Sequence, residues 1–225
     1  PAPSSYPLAA ACGNEWQYLN FDTSSGTDMN HLGTLHNLIC SGELRAYLSW
    51  GYKSATDENN IFKCFFEADD EKVPVSILGL LQGTDVSGTF IGDVVGGMII
   101  DNNDFAGECA TGDTYGYTDV DPLDSREKIH ICQPTWSLPE GFDESTSTCS
   151  AIADHPTEMV DTIALVAIHE MTHYSTVGPA SAFEALITDQ LKFDGQKAYG
   201  IERAAGLIGQ DHEELRAEGN ADNYA

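Results

Sequence analysis

The sequence predicts an α+β fold in which a small sheet-bearing lobe is followed by a helical lobe. Its 225 residues and its hydrophobic content of 41% suffice for one domain with a sizeable core. Short segments rich in Phe, Val and Ile, bounded by Asp, Asn and Gly, predict strands in the first half. In contrast, no Gly or Pro interrupts residues 157–173, which predicts a helix. We therefore expect a single domain over residues 1–225, with a mixed α/β lobe at roughly 1–150 and a helical lobe at roughly 151–225.

The first predicted element is a short helix within residues 29–51. Its apolar residues recur at helical spacing, and the pair Ser41-Gly42 follows them as a break. The apolar positions are Leu32, Leu35, Leu38 and Ile39. We expect this helix to end before Ser41.

Four further segments of the first half are predicted strands. They are residues 60–69, 72–83, 88–104 and 128–136. Each is rich in β-branched or aromatic residues, and glycines interrupt the third. The fourth contains Pro134, which lacks a backbone N–H, so we expect this strand near a sheet edge, where its KIHIC segment is a candidate for pairing with an extended peptide.

The longest helical pattern begins near residue 155. Asp154 or His155 is a candidate N-cap, and Pro156 suits the first turn. Glu158 stands near the third helical position, as in a capping box. Residues 163–168 are apolar on every side of such a helix, which predicts that it is buried.

The charge balance excludes two classes of partner. The chain has 10 basic and 36 acidic residues, a net charge of −26. Nucleic acids and anionic membrane surfaces are bound through Lys and Arg, so we expect neither as a partner. No apolar run is long enough to cross a bilayer, and we expect a soluble monomer. The acidic stretch with Asp119, Asp121 and Asp124 lacks the glycine of a calcium-binding loop and is predicted to be an acidic loop.

Six cysteines predict an oxidising environment. They are Cys12, Cys40, Cys64, Cys109, Cys132 and Cys149. No two of them form a C-x-x-C pair, so a cysteine zinc site is not expected. An even number of scattered cysteines instead indicates three disulfides and a secreted, extracellular protein. The pairing stays open, since six cysteines allow about fifteen connectivities.

The segment HEMTH carries the chemistry of the second half. His169 and His173 are four residues apart, so on a helix both imidazoles lie on one face and can bind one ion. Glu170 lies about 100° round the helix from His169, where it can take a proton from a metal-bound water. This pattern predicts one catalytic Zn²⁺, with Glu170 as general base. A catalytic zinc site of this kind has three protein ligands, so one ligand must come from elsewhere in the chain.

Three pieces, in the order HEMTH, ITDQLKFDGQKAYG and NADNYA, resemble the fungal deuterolysin family of zinc endopeptidases, also called aspzincins. The resemblance covers about the last third of the chain. It implies a zincin-like metalloprotease domain, with the HExxH helix at a cleft between a sheet-bearing lobe and a helical lobe. It also implies a secreted zinc endopeptidase that acts on peptide or protein substrates.

The resemblance also suggests the third zinc ligand. In the family it is an aspartate within a short G-T-x-D-x-x-Y-G loop, whose tyrosine assists the transition state. Tyr199-Gly200 is present here, but Gln196 stands at the aspartate position. This implies a divergent member with a longer loop, in which Asp189 is the third ligand and Asp194 is the reserve candidate. Tyr199 is then a candidate donor to the oxyanion.

Alternatives to this reading stay open. A different zincin class uses a glutamate ligand, for which Glu184 and Glu202 are the candidates, although Glu202 also suits a helix start. Asn220 and Asp222 can either bond the outward nitrogens of the histidines or cap a short helix. A different function is zinc binding or sequestration without turnover, against which the presence of a base beside the histidines argues.

Overall fold

A small mixed β-sheet and four α-helices make up the described part of this α+β protein, for which we analysed a computed structural model. The described residues are 5–7, 17–40, 43–57, 62–66, 71–82, 98–112, 114–141, 162–190, 204, 207 and 217–224, and every structural statement below concerns them. The helices are α1 (Gly26–Cys40), α2 (Glu43–Thr56), α3 (Lys72–Gln82) and α4 (Ile163–His173). The strands are β1 (Ser5–Pro7), β2 (Gln17–Leu19), β3 (Ile99–Asp101), β4 (Gly116–Val120) and β5 (Glu127–Ile131). No described helix combines the length and the apolar character needed to span a membrane.

The sheet has the strand order β1-β2-β3-β5-β4. β2, β3 and β5 run parallel to one another, while β1 and β4 pair antiparallel with their neighbours. β5 is therefore near an edge, next to the outermost strand, but it pairs on both sides, so the prediction that its KIHIC segment is open to an extended peptide is wrong. Pro134 lies beyond the strand in a 3-10 helix, Gln133–Ser137, so its missing N–H does not limit the pairing of β5. Among the described strands β1 and β4 are the two edges, and β4 pairs with β5 from Gly116 opposite Ile131 to Val120 opposite Glu127.

The helix predicted within residues 29–51 is confirmed as α1, and a second helix, α2, follows it after residues 41–42. The four apolar residues whose spacing predicted the helix are all buried: Leu32, Leu35, Leu38 and Ile39. α1 ends at Cys40, directly before the predicted break at Ser41.

Two predicted strands are instead helical. Residues 72–82 form α3, whose buried residues Pro74, Ile77, Leu78 and Leu81 recur at helical spacing. Their Val and Ile content suggested a strand, but the period of burial is that of a helix. Within 60–69 the structure has a 3-10 helix, Phe62–Cys64. Phe62 and Phe66 stack there with ring centroids 5.2 Å apart.

The third predicted strand is confirmed in its last part. Within residues 88–104, β3 covers Ile99–Asp101, and its side chains are buried. Residues 88–97 lie outside the described part of the chain.

Helix α4 begins at Ile163, later than the sequence suggested. Thr162 is its N-cap, since the Thr162 hydroxyl accepts a hydrogen bond of 3.1 Å from the Leu165 amide. The predicted caps, Asp154 and His155, lie outside the described residues. The predicted burial is confirmed for five of the six apolar residues: Ile163, Ala164, Val166, Ala167 and Ile168.

The structure contains a disulfide near the sheet, as the even number of cysteines predicts. Cys109 and Cys132 form a disulfide with a Cα–Cα distance of 5.6 Å. It ties the 3-10 helix Glu108–Thr111 to the residue that follows β5. Since both sulfurs are used in this bond, their proximity to the buried His130 does not make a thiolate metal site. The side chains of the other four cysteines lie outside the described part of the chain.

Candidate metal centre

Helix α4 brings two histidines together at its C-terminal end. His169 and His173 are one helical turn apart, and their Nε2 atoms lie 3.1 Å from each other. Their side chains are 12% and 15% exposed, so both rings are largely buried but reachable from solvent. The helix alone fixes this pairing, because residues i and i+4 lie on one face.

Asp189 reaches the two histidines from the segment that follows the helix. Its Oδ1 atom is 3.1 Å from the Nε2 atom of each ring. Thr188 forms a parallel β-bridge with Asn220, with the Thr188 amide donating to the Gly219 carbonyl at 2.9 Å. The backbone on either side of Asp189 is therefore tied to the C-terminal turn. We call His169, His173 and Asp189 the histidine cluster.

The donor atoms of the histidine cluster fit a single metal ion. The three atoms form a triangle with sides of 3.1 Å. A tetrahedral zinc ion with bonds of about 2.0–2.1 Å separates its ligand atoms by about 3.3 Å. The observed triangle is close to one face of that tetrahedron, so the cluster could hold a metal ion and leave a fourth position open.

Both rings have their outward nitrogens engaged. The Nδ1 atom of His169 is 2.6 Å from the Oδ1 atom of Asp222, and that of His173 is 3.0 Å from the Ile187 carbonyl. Both partners accept hydrogen bonds, so each Nδ1 carries a proton, and each Nε2 has its lone pair directed into the cluster whenever that nitrogen is deprotonated. This is the tautomer that a metal ligand requires.

Charges within the histidine cluster shift its pKa values strongly. Burial opposes the charged form of His169, but the carboxylates of Asp189 and Asp222 outweigh burial and raise its pKa well above the usual value. The pKa of His173 is also raised, since hydrogen bonding to Asp189 outweighs burial. Burial would raise the pKa of Asp189, but hydrogen bonds from the two rings hold it far below the usual range. The site thus stabilises positive charge at the point where the three donor atoms meet.

Glu170 is buried beside the histidine cluster and against the edge strand. Glu170 is only 3% exposed. The helix that carries it, α4, packs on β4. Thr118 of β4 places its Oγ1 atom 2.9 Å from the Oε2 atom of Glu170 and 2.8 Å from the carbonyl of the same residue. Burial raises the pKa of the Glu170 carboxyl, against the opposing influence of the two histidine rings and of Thr118. A raised pKa suits a carboxylate that must accept and then release a proton.

The remaining predicted site residues fall into two groups. Asp194, Gln196, Tyr199 and Glu202 lie outside the described residues, so their roles stay predictions. Glu184 is exposed, and it is not one of the three residues whose donor atoms meet.

For Asn220 and Asp222 the sequence left open a contact with a histidine ring or a helix cap. Asp222 bonds the outward nitrogen of His169. Asn220 stands at the N-cap of the 3-10 helix Ala221–Asn223, but its side chain makes no capping hydrogen bond there. Its Oδ1 atom accepts from the Gln190 amide at 3.0 Å, and its Nδ2 atom donates to Asn223 at 2.7 Å. Asn220 therefore holds the backbone beside Asp189.

Sequence reasoning missed Thr118 and Gly116 as parts of this site. Both belong to the segment GYTDV, which was not predicted to be a strand. The sequence offers one indication: Gly116 and Thr118 are two residues apart, and residues at this spacing share one face if the segment is a strand.

The predicted acidic loop surrounds a buried lysine. The Nζ atom of Lys128 is 3.1 Å from Asp101, 2.5 Å from Asp121 and 3.0 Å from Asp124. Lys128 is 3% exposed and also lies over the Phe105 ring, 5.6 Å from its centroid. We call Lys128 and its three aspartates the lysine cluster. These three acidic side chains thus share one cation that the chain itself supplies.

No protein-family model matches this chain, and no curated protein matches it in sequence. The resemblance to deuterolysins therefore rests on the quoted residues alone.

Proposed function

We propose that this protein is a secreted zinc endopeptidase of the zincin type. The observation that supports it most is the meeting of Asp189 Oδ1 with the Nε2 atoms of His169 and His173 at 3.1 Å. The two Nε2 atoms belong to an HExxH helix, and the glutamate of that helix is buried next to them. In this proposal the three residues bind one zinc ion, and the active-site cleft lies between the sheet and the helical part of the chain.

A zinc ion held by these three residues would supply Lewis-acid chemistry: it would lower the pKa of a water towards about 7 and polarise the substrate carbonyl. Glu170 then accepts the proton of the water and later passes it to the leaving amine. Asp222 holds the Nδ1 proton of His169, which keeps the Nε2 lone pair available. Tyr199 is proposed as the donor to the oxyanion.

The edge strand β4 is the proposed docking strand for the substrate. Among the described residues, β4 pairs with β5 on one side only. An extended peptide can add to such an edge by backbone hydrogen bonds. Because Thr118 of β4 contacts Glu170, a peptide bound there lies next to the general base. The Cys109–Cys132 disulfide supports secretion, since disulfides persist in oxidising compartments.

The decisive experiment compares the wild-type chain with Glu170→Gln. Both are assayed for cleavage of an unstructured protein, and bound zinc is quantified in both. We expect one zinc per chain in each, with cleavage lost by about 10²–10⁴-fold in the variant. If both chains bind zinc and neither cleaves, the protein binds zinc without turnover. If the wild type binds no zinc, the metal assignment itself fails.

The choice of third ligand has a separate test. Asp189→Ala is expected to abolish stoichiometric zinc binding, while Asp194→Ala, Glu184→Gln and Glu202→Gln keep it. Loss of zinc in one of the latter three, with zinc retained in Asp189→Ala, would assign the ligand to that residue instead.

A further inference from the structure

One face of strand β4 packs against the side chain of Glu170. Gly116 and Thr118 are two residues apart on this strand, so they share the face that meets α4. Both lie against Glu170: Thr118 through hydrogen bonds, and Gly116 through the space left by its missing side chain. The partner strand β5 holds this register, with Thr118 opposite Ile129.

The Thr118 hydroxyl contacts two oxygens of the same residue. Its Oγ1 atom is 2.8 Å from the carbonyl oxygen of Glu170 and 2.9 Å from the carboxylate Oε2. The backbone contact fixes where the hydroxyl sits relative to the helix. The carboxylate contact then fixes where the end of the side chain sits relative to the same helix. The single hydroxyl proton is shared between these two acceptor oxygens, and the two contacts restrain the side chain of Glu170.

Gly116 leaves the room that this arrangement needs. A Cβ atom at residue 116 would lie 3.1 Å from the Cγ atom and 3.2 Å from the Oε1 atom of Glu170. It would also lie 3.2 Å from the backbone oxygen of His130, which the sheet holds in place. The positive-φ glycines of the described chain are Gly107 and Gly112, so at Gly116 the requirement is for space and not for an unusual backbone angle.

We propose that Thr118 is the positioning residue for the general base, with Gly116 as the matching space. Thr118 holds Oε2, and Oε1 is the oxygen that exchanges the proton with water and with the leaving amine. This inference rests on the proposed peptidase function. It adds that strand β4, besides docking the peptide, sets the orientation of Glu170. Peptide addition to this edge and alignment of the base then depend on one strand.

The kinetic test uses Thr118→Val, which keeps the β-branched shape and removes the hydroxyl. We expect a fall in kcat of about 10–100-fold, typical of a misplaced catalytic group, with little change in KM and with full zinc content. Thr118→Ser keeps the hydroxyl and should recover most of kcat. Gly116→Ala should lower kcat in the same way.

Thr135→Val is the matched control. Thr135 is also buried, and its hydroxyl donates to the Tyr115 carbonyl beside the same strand. Its loss removes a buried hydrogen bond without touching Glu170. We therefore expect lower resistance to denaturant with kcat unchanged. An equal fall in kcat for Thr135→Val and Thr118→Val would show that any loosening of β4 impairs the enzyme, and the specific role of Thr118 would be discarded.

A second readout does not depend on activity or on metal. Unfolding midpoints in denaturant are measured, with chelator present, for the wild type, Thr118→Val, Glu170→Gln and the double variant. If the two side chains interact, the midpoint shift of the double variant is smaller than the sum of the single shifts. Additive shifts would refute the contact.

The outcomes separate this inference from the proposed function. A wild-type chain that cleaves nothing overturns the peptidase proposal and, with it, the catalytic role of Thr118. An active wild type with an equally active Thr118→Val overturns the role of Thr118 alone.

Discussion

The histidine cluster and the lysine cluster are both buried groups of charged side chains, yet they differ in the origin of their cation. In the lysine cluster the chain supplies the cation, since the Lys128 ammonium lies within 3.1 Å of each of its three aspartates. In the histidine cluster, two imidazole lone pairs and a carboxylate oxygen converge at 3.1 Å, and each of these atoms is an electron-pair donor. A buried set of donors is stable when a cation or protons occupy the point where they meet. The first cluster therefore has its cation within the chain, and the second could hold a metal ion.

The largest expected effect is on the stability that the lysine cluster provides. Lys128→Met leaves buried carboxylates without their cation and should lower the free energy of unfolding by about 3–5 kcal/mol. Lys53→Met is the matched control. Lys53 pairs with Asp57 on the surface, where its side chain is 72% exposed, and such pairs contribute about 0–1 kcal/mol. Chemical denaturation measures both, and equal losses would contradict a buried role for Lys128.

Removal of metal should affect only the histidine cluster. At a free zinc concentration about 1,000 times Kd, binding stabilises the folded state by about 4 kcal/mol, which a chelator removes. The unfolding midpoint of the wild type should therefore fall when chelator is added, and that of Asp189→Ala should stay constant. Lys128→Met should respond to chelator like the wild type, since the substitution leaves His169, His173 and Asp189 unchanged. A chelator response in Asp189→Ala would show that zinc binds elsewhere.

A smaller effect is expected at the partner of His169. Asp222→Asn keeps the shape of the side chain but removes the negative charge that accepts the hydrogen bond from Nδ1 of His169. In the wild type, Nδ1 is 2.6 Å from Oδ1 of Asp222. Zinc affinity should fall by about 10–100-fold, measured by competition with a chelator dye. Asp119→Asn, an exposed change on β4, should leave the affinity unchanged. If the zinc affinity of Asp222→Asn is unchanged, Asp222 has no role in metal binding and only packs within the C-terminal turn.

The response to pH above neutrality should also separate the clusters in chelated protein. The folded-state pKa values of His169 and His173 are raised by nearby carboxylates. Their contribution to stability is therefore complete below the unfolded pKa of about 6.5 and is lost as pH rises through the folded values. The pKa of Lys128 is also raised, because its aspartates outweigh the effect of burial, so the lysine cluster keeps its charges in this range. Stability of the wild type should fall as pH rises above about 6.5, and His169→Gln should show a smaller fall.

Acid should weaken the lysine cluster, because the pKa values of its aspartates are lowered in the folded state, whereas those of the two histidines are raised. A hydrogen bond from Lys128 lowers the pKa of Asp121, and one from Arg126 lowers that of Asp124. Their stabilisation is present above the unfolded value of about 3.9 and is lost as pH falls through the lower folded values. Denaturation curves of chelated protein between about pH 5 and pH 2 should therefore show a smaller loss for Lys128→Met than for the wild type. If the wild type and Lys128→Met lose the same stability over this pH range, the acid-sensitive ion pairs lie outside the lysine cluster.

The sequence predicted some elements well and others poorly, for physical reasons. α1 and α4 were recognisable because their apolar residues repeat within the helix or surround it. α3 was mistaken for a strand because Val and Ile suit both structures in a short apolar segment, and β4 was missed because Gly and Asp give it a weak strand signal. The position of β5 inside the sheet depends on which strands pair, and the residues of one strand alone do not determine that.

The sequence by itself determined the pair His169 and His173 and the adjacent Glu170, because helix geometry relates residues four apart without help from the rest of the chain. Only the tertiary structure decided the other contacts of the site. Thr118 is 52 residues from Glu170 and Asp222 is 53 residues from His169 along the chain, and Asp189 reaches the rings through a bridge to the C-terminal turn. Contacts of this kind exist only once a sheet edge, a helix and a distant turn have packed together, and no local pattern encodes that packing.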